Sequence, residues 1–113
     1  MKIAVPLLAL TLATLSTNGM AADADAGTAA VEALGRLNGV ALACQQPALV
    51  ARARNAVITT APKTRGYGEI FENATNASYL EQGKGAVCPD PASLASNIAA
   101  AEQRMKSAFA VSQ

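Results

Sequence analysis

The stretch DPASLASNIAAAEQRMKSAF, residues 90–109, decides the fold class of this chain. Its apolar residues recur at steps of three and four positions, which is the spacing of a helix with one buried face: Leu94, Ile98, Ala101, Met105, Ala108 and Phe109. Asp90 can accept hydrogen bonds from the free N–H groups of a first helical turn, and Pro91 suits the first helical position. The stretch therefore predicts a helix over residues 91–111 with one side in a core.

Three upstream segments show the same spacing and predict helices over residues 28–44, 47–60 and 69–82. Pro47 can open the second of them, Pro62 ends it, and Gly83 can supply the backbone conformation that ends the third. The alternation typical of strands is absent, and alanine, the best helix former, is frequent. The sequence predicts an all-α fold, a small four-helix bundle that forms a single domain over residues 22–113.

Two segments lack the helical spacing. Residues 22–26 are expected to form a mobile lead-in, and residues 62–68, which contain one proline and two glycines, are expected to form a loop. We expect this loop to be the longest non-helical stretch inside the core. For the third helix we expect an inward face that consists of Ile70, Phe71, Ala74, Ala77 and Leu80.

The first twenty residues resemble a targeting signal more than a part of the fold. Lys2 supplies a positive start, an apolar run of 13 residues covers positions 3–15, and small residues follow. A run of this length is shorter than the roughly 18 to 20 residues that cross a bilayer. The pattern predicts a secretory signal peptide over residues 1–21, cleaved after Ala21 or, as the alternative, after Ala24.

The charge of the exported protein is balanced. With Lys2 removed, the nine Lys and Arg of the chain become eight and match its eight Asp and Glu. Binding to nucleic acids or to anionic membranes depends on excess positive charge, so neither is expected, nor is stable membrane insertion after cleavage. We expect the protein to be periplasmic or secreted.

Cys44 and Cys88 are the only cysteines, and export would place them where disulfides persist. We therefore expect them to be paired. Closing a loop of this length stabilises a fold by about 4 kcal/mol on the chain-entropy account. Two free thiols or half of a metal site is the alternative, but no CxxC spacing and no histidine accompany the pair, so no metal and no cofactor are expected.

The absence of histidine from the chain narrows the possible chemistry. It excludes Ser-His-Asp and Cys-His arrangements and removes the commonest general base near neutral pH. Glycosidase chemistry needs only two carboxylates, which Glu69 and Glu72 could supply, but residues three apart on a helix are usually a solvated surface. We expect no enzymatic activity.

A cluster of positive charge is the first candidate for a binding site. It consists of Arg52, Arg54, Lys63 and Arg65, with Tyr67 adjacent. Such a cluster can hold an acidic partner, a phosphate or a cell-wall carboxylate. In the alternative interpretation Arg52 and Arg54 are the solvated side of a helix, and Arg65 is paired with Glu69 or Glu72.

Gly35 and Gly39 are the second candidate. Each glycine inside a helix costs about 1 kcal/mol relative to alanine. The two stand on the side of the first helix that carries Glu32 and Arg36 and not on its apolar stripe. A close approach of another element is expected there, either a neighbouring helix of the same bundle or a partner protein.

In layout, an exported helical domain of about 90 residues with one long-range disulfide is similar to the periplasmic acid-stress chaperones, and less closely to small immunity proteins and secretion pilotins. The resemblance implies a protein-binding accessory, immunity or chaperone-like factor whose partner is another protein of the cell envelope. A homo-oligomer is also compatible with it. The alternative function is a carrier of a small molecule or lipid, with a pocket between helices lined by Ile70, Phe71, Met105 and Phe109.

Overall fold

A computed structural model describes the backbone of residues 19–110 and the side chains of residues 26–110. Four α-helices account for most of this part of the chain: α1 (Gly19–Ala43), α2 (Pro47–Thr60), α3 (Arg65–Gln82) and α4 (Pro91–Ala110). Residues 19–110 contain no strand. The predicted all-α fold with four helices is confirmed.

Helix α1 lies at the centre of the arrangement and packs against each of the other three helices, while α2 also packs against α4. Across the described residues no Cα atom of α2 comes within 8 Å of one of α3, and the same is true of α3 and α4. The backbone of α3 therefore lies close to that of α1 alone, and α3 reaches α4 only through side chains such as Tyr67, which packs on Phe109. This leaves the bundle open between α2 and α3.

The core forms where α1 and α4 face each other. All six apolar residues that the 90–109 stretch predicts as inward are buried in α4. They pack in one cluster with the buried apolar side chains of α1, which are Ala30, Val31, Leu34 and Ala41. The start of α4 also matches its prediction, because the Asp90 carboxylate accepts hydrogen bonds from the N–H and the hydroxyl of Ser93 at 3.1 and 3.3 Å.

The predicted disulfide is present. Cys44 and Cys88 are bonded with a Cα–Cα distance of 5.8 Å, and the bond joins the end of α1 to the segment between α3 and α4. Around Cys44 the helix α1 ends in a tight turn. In this turn the N–H groups of Gln45 and Gln46 donate to the carbonyls of Leu42 and Ala41. Gln45 has a φ of 57°, the left-handed conformation that such helix ends use.

Helix α1 begins nine residues earlier than predicted, at Gly19 instead of residue 28. Residues 22–26, which were expected to form a mobile lead-in before the first helix, therefore belong to α1, because this alanine-rich stretch continues the helix. Gly27 does not interrupt it. A Cβ atom at Gly27 would lie 2.7 Å from the ring of Phe109, so the glycine makes room for that ring.

Helix α3 begins four residues earlier than predicted, at Arg65. The hydroxyl of Thr64 accepts a hydrogen bond from the N–H of Tyr67 at 3.3 Å, and this cap starts the helix ahead of the two glycines. The predicted loop over residues 62–68 is thus reduced to a connection over 61–64. The longest non-helical stretch between the helices is instead residues 83–90.

The inward face of α3 is also narrower than expected. Phe71 and Ala74 are buried and Ile70 is half-buried, but Ala77 and Leu80 are exposed. Since the backbone of α3 lies close to one helix only, α1, the apolar side of α3 is narrower than that of a helix packed between two neighbours.

The predicted signal peptide lies outside the described residues except for positions 19–21, which already belong to α1. Its cleavage therefore stays a prediction. None of the helices in the described part of the chain combines the length and the apolar character that crossing a bilayer requires.

Candidate functional site: the groove between α2 and α3

An open groove of about 570 Å³ separates α2 from α3. Its apolar lining comes from Val57 and Ile58 on α2 and from Phe71 on α3. Phe71 is buried, whereas the side chain of Ile58 is 60% exposed. We call this feature the α2–α3 groove. An isoleucine this exposed, next to a buried aromatic ring, gives the groove an apolar surface that a ligand can cover.

Charged side chains stand on both rims of the α2–α3 groove. Arg54 lies on the α2 rim, Glu69 and Glu72 lie on the α3 rim, and Arg65 stands at the end where α3 begins. None of these four forms an ion pair within 4 Å among residues 26–110. The pairing of Arg65 with Glu69 or Glu72, which belonged to the alternative interpretation of the cluster, is therefore not found among these residues, and the rim charges are available to a partner.

A second depression of about 330 Å³ continues the groove toward the connection between the two helices. It shares Val57, Ile58 and Gly68 with the first depression and adds Lys63 and Tyr67. The structure thus brings four of the five residues of the predicted binding cluster to one groove: Arg54, Lys63, Arg65 and Tyr67.

Tyr67 links the groove to the core. Its ring meets the ring of Phe109 edge to face, with 5.1 Å between centroids and an interplanar angle of 84°. Its backbone N–H donates to the cap at Thr64. The half-buried ring thus packs on α4, while the cap at Thr64 holds the backbone of Tyr67 in the first turn of α3, which also carries Arg65.

Arg52, the fifth member of the predicted cluster, faces a different surface. Its guanidinium binds the carboxylate of Glu102 on α4 in a bidentate manner, with an Nη2–Oε1 distance of 2.8 Å and an Nε–Oε2 distance of 3.1 Å. The hydrogen bond to Glu102 and the negative charge of that carboxylate raise the pKa of Arg52 above its ordinary value. Arg52 joins α2 to α4 and does not contribute to the α2–α3 groove.

Gly35 and Gly39 do not face a partner protein. Both are buried beneath α3. A Cβ atom at Gly35 would lie 2.8 Å from the Cβ atom of Ala74, and one at Gly39 would meet the carbonyl oxygen of Thr75. The close approach expected at the glycines is made by α3 of the same chain, so they are excluded from the candidate site.

A buried polar pair in the same interface escaped the sequence analysis. The side-chain NH₂ of Asn38 donates to the hydroxyl of Thr75 at 3.1 Å, and that hydroxyl donates to the carbonyl of Gly35 at 3.1 Å. The Oδ1 atom of Asn38 is buried and has no hydrogen-bond partner among the described residues. No local signal distinguishes this asparagine from the other polar residues of α1, because its partner lies 37 positions away.

The candidate carrier pocket does not form from the residues expected to line it. Met105 and Phe109 are buried in the core, Phe71 lies between the core and the α2–α3 groove, and Ile70 is half-buried at the edge of α3.

Among the described residues no three His, Cys, Asp or Glu side chains come together as metal ligands. The α2–α3 groove instead combines an apolar lining with charged rims, and such a surface is suited to binding a ligand or a partner.

No family model, no curated protein and no solved structure matches this chain. The role of the α2–α3 groove therefore has to be inferred from its own geometry and charges.

Proposed function

We propose that this protein is a non-catalytic binding protein of the periplasm or the extracellular space, and that its α2–α3 groove binds an apolar segment of another protein. The observation that carries the proposal is the exposed side chain of Ile58 in a groove beside Val57 and Phe71. Full burial of an isoleucine side chain contributes about 1.5 to 3 kcal/mol. Because Ile58 is 60% exposed, a partner that covers it gains about 1 to 2 kcal/mol of this contribution.

Two features support the proposed compartment. The disulfide between Cys44 and Cys88 belongs to oxidising environments, and the predicted signal peptide directs export to one. An accessory subunit, an immunity protein and a chaperone-like factor all act by covering a segment of another protein. The groove suits each of these roles.

The test places a photo-cross-linking amino acid at position 58 of the full chain, expressed in cells with an intact envelope. Leu80 provides a matched control, since its side chain is 62% exposed and lies outside the groove. We expect a discrete adduct from position 58 and none of that mass from position 80. Mass spectrometry then identifies the protein in the adduct.

The identified protein is purified and its affinity is measured by calorimetry. We expect Ile58→Glu to weaken binding at least about tenfold, because it places a charge in the apolar contact. Leu80→Glu should leave the affinity unchanged, and circular dichroism should show that both variants are folded. Equal adducts at the two positions, or equal affinity of the two variants, contradict the proposal.

One observation favours a second candidate function, the carrier. The 570 Å³ volume of the α2–α3 groove falls within the range of small-ligand pockets. Native mass spectrometry of protein purified from the envelope tests it. A retained ligand that Ile58→Glu loses and Leu80→Glu keeps would establish a carrier in place of a protein-binding factor.

A further inference from the structure

We infer that the occupant of the α2–α3 groove is an amphipathic α-helix of the partner protein, with acidic side chains toward α2 and basic side chains toward α3. This inference rests on the proposed function and specifies the partner of the same groove. It is carried by the secondary structure around the groove and by the distribution of charge on its rims.

The surroundings of the groove favour a helix over an extended segment. Both walls are helices, whose backbone groups are already paired within each helix, and residues 19–110 offer no strand edge. An extended segment would therefore bring unpaired backbone N–H and C=O groups against Val57, Ile58 and Phe71. A helix pairs these groups internally and presents only side chains to the groove.

The spacing of the two walls also suits a helix. Because no Cα atom of α2 lies within 8 Å of one of α3, the two are not packed together as helix neighbours. Both pack against α1. A partner helix laid over the groove would contact α2 and α3 on their outer side, as α1 does on the inner side.

The apolar floor sets the size of the contact. The lining on the α2 side covers residues 54–61: Arg54, Val57 and Ile58 belong to α2, and Ala61 follows its end. These eight residues span about 12 Å at the helical rise of 1.5 Å per residue. That length corresponds to two turns, so we expect two or three apolar anchors at spacings of three and four residues on the partner helix.

The charges of the rims define the polar sides of the partner helix. The α2 rim carries Arg54, and the α3 rim carries Glu69 and Glu72. Arg65, the first residue of α3, adds a positive charge at the end of this rim near the connection, so the rim is opposite in sign to Arg54 only beside Glu69 and Glu72. None of the four side chains forms an ion pair among the described residues. A partner helix with acidic residues on one flank of its apolar stripe and basic residues on the other matches both rims in a single orientation.

The experiment uses the segment that cross-links to position 58, made as a synthetic peptide of about 20 residues, and the complete protein. We expect the peptide to gain helical circular dichroism on binding. We expect Arg54→Glu to weaken its binding about threefold to fivefold, which is the scale of an exposed ion pair. Arg54→Gln is the milder variant, and Arg104→Glu, an exposed charge on α4, is the matched control.

A peptide whose acidic residues facing Arg54 are replaced by lysine should bind the Arg54→Glu variant better than it binds the natural protein. If the peptide binds without becoming helical, or if Arg54→Glu behaves as Arg104→Glu does, the inference is wrong while the proposed function stands. An adduct that contains a lipid or a second copy of this chain overturns the inference as well. If position 58 gives no specific adduct, the proposed function itself fails.

Discussion

The two sides of helix α3 differ in how closely a neighbour approaches. On the α1 side the helices are so close that a single methyl group at Gly35 or Gly39 would collide with α3. On the α2 side a Cβ atom at Gly68 would meet nothing within 4 Å. The same helix thus takes part in a close helix–helix contact on one side and borders an open groove on the other. We infer that the α1 side holds α3 in place and that the α2 side remains free to bind.

The polar groups of the two sides differ in the same sense. On the α1 side the hydroxyl of Thr75 and the amide of Asn38 are buried and bonded to each other. On the α2 side Glu69 and Glu72 are exposed and form no ion pair among residues 26–110. Buried polar pairs fix one arrangement of two helices, whereas exposed charges contribute little to stability and can select a partner.

The largest effect on stability is expected from adding a methyl group to α1 where it packs against α3. Gly39→Ala would place a Cβ atom against the carbonyl of Thr75 and 2.8 Å from the backbone nitrogen of Tyr79. Because these are backbone atoms, α3 has to move, and this strain should outweigh the gain in helix propensity. We expect a net loss of about 2 kcal/mol in the free energy of unfolding, measured by urea denaturation.

Gly68→Ala is the matched control for this prediction, since Gly68 is also a helical glycine but has open space around its Cβ position. We expect it to raise the free energy of unfolding by about 0.5 to 1 kcal/mol through helix propensity alone. Equal stability changes in the two variants would show that α1 and α3 are not in close contact in solution.

A smaller effect is expected from the buried polar pair. Thr75→Val keeps the shape of the side chain but leaves the amide of Asn38 without an acceptor, so we expect a loss of about 1 to 1.5 kcal/mol, the low end of the cost of an unsatisfied buried donor. Asn38→Leu should cost less, because the hydroxyl of Thr75 keeps its hydrogen bond to Gly35. A double variant less stable than the sum of the two single losses would contradict this account of the pair.

The packing on the α1 side of α3 was partly predictable from the sequence. Two glycines four residues apart, away from the apolar stripe of α1, indicate a close approach, but they do not identify what approaches. The sequence therefore leaves two interpretations open, a neighbouring helix and a partner protein, and the position of α3 decides between them. The buried Asn38 was not predictable, because burial of a polar residue is recognised only when its distant partner, Thr75, is known.

On the α2 side of α3 the residues of the candidate site were predictable from the sequence, but the shape of the groove was not. Charge and aromatic content indicated Arg54, Lys63, Arg65 and Tyr67, which all border the α2–α3 groove. Arg52 satisfied the same criterion but faces α4, since residues two apart on a helix lie on different sides. Ile58 and the gap between α2 and α3 carried no local signal, because both depend on which helices are neighbours.

The smallest effect on stability is expected from substitution of Ile58 in the α2–α3 groove. It contrasts with the large effect expected from Gly39→Ala on the α1 side of α3. Ile58→Ser and Leu80→Ser each remove an apolar side chain that is more than half exposed, 60% and 62% respectively. Both should change the free energy of unfolding by less than about 0.5 kcal/mol, since surface substitutions remove few packed contacts. Urea denaturation of the two variants, compared with Gly39→Ala, measures this difference.

A loss of more than about 1 kcal/mol in Ile58→Ser alone would mean that the groove closes over Ile58 in solution and is part of the core. Near-natural stability in both variants, with partner binding lost only in Ile58→Ser, would show that Ile58 serves recognition and that the packing against α1 holds α3 in place without it.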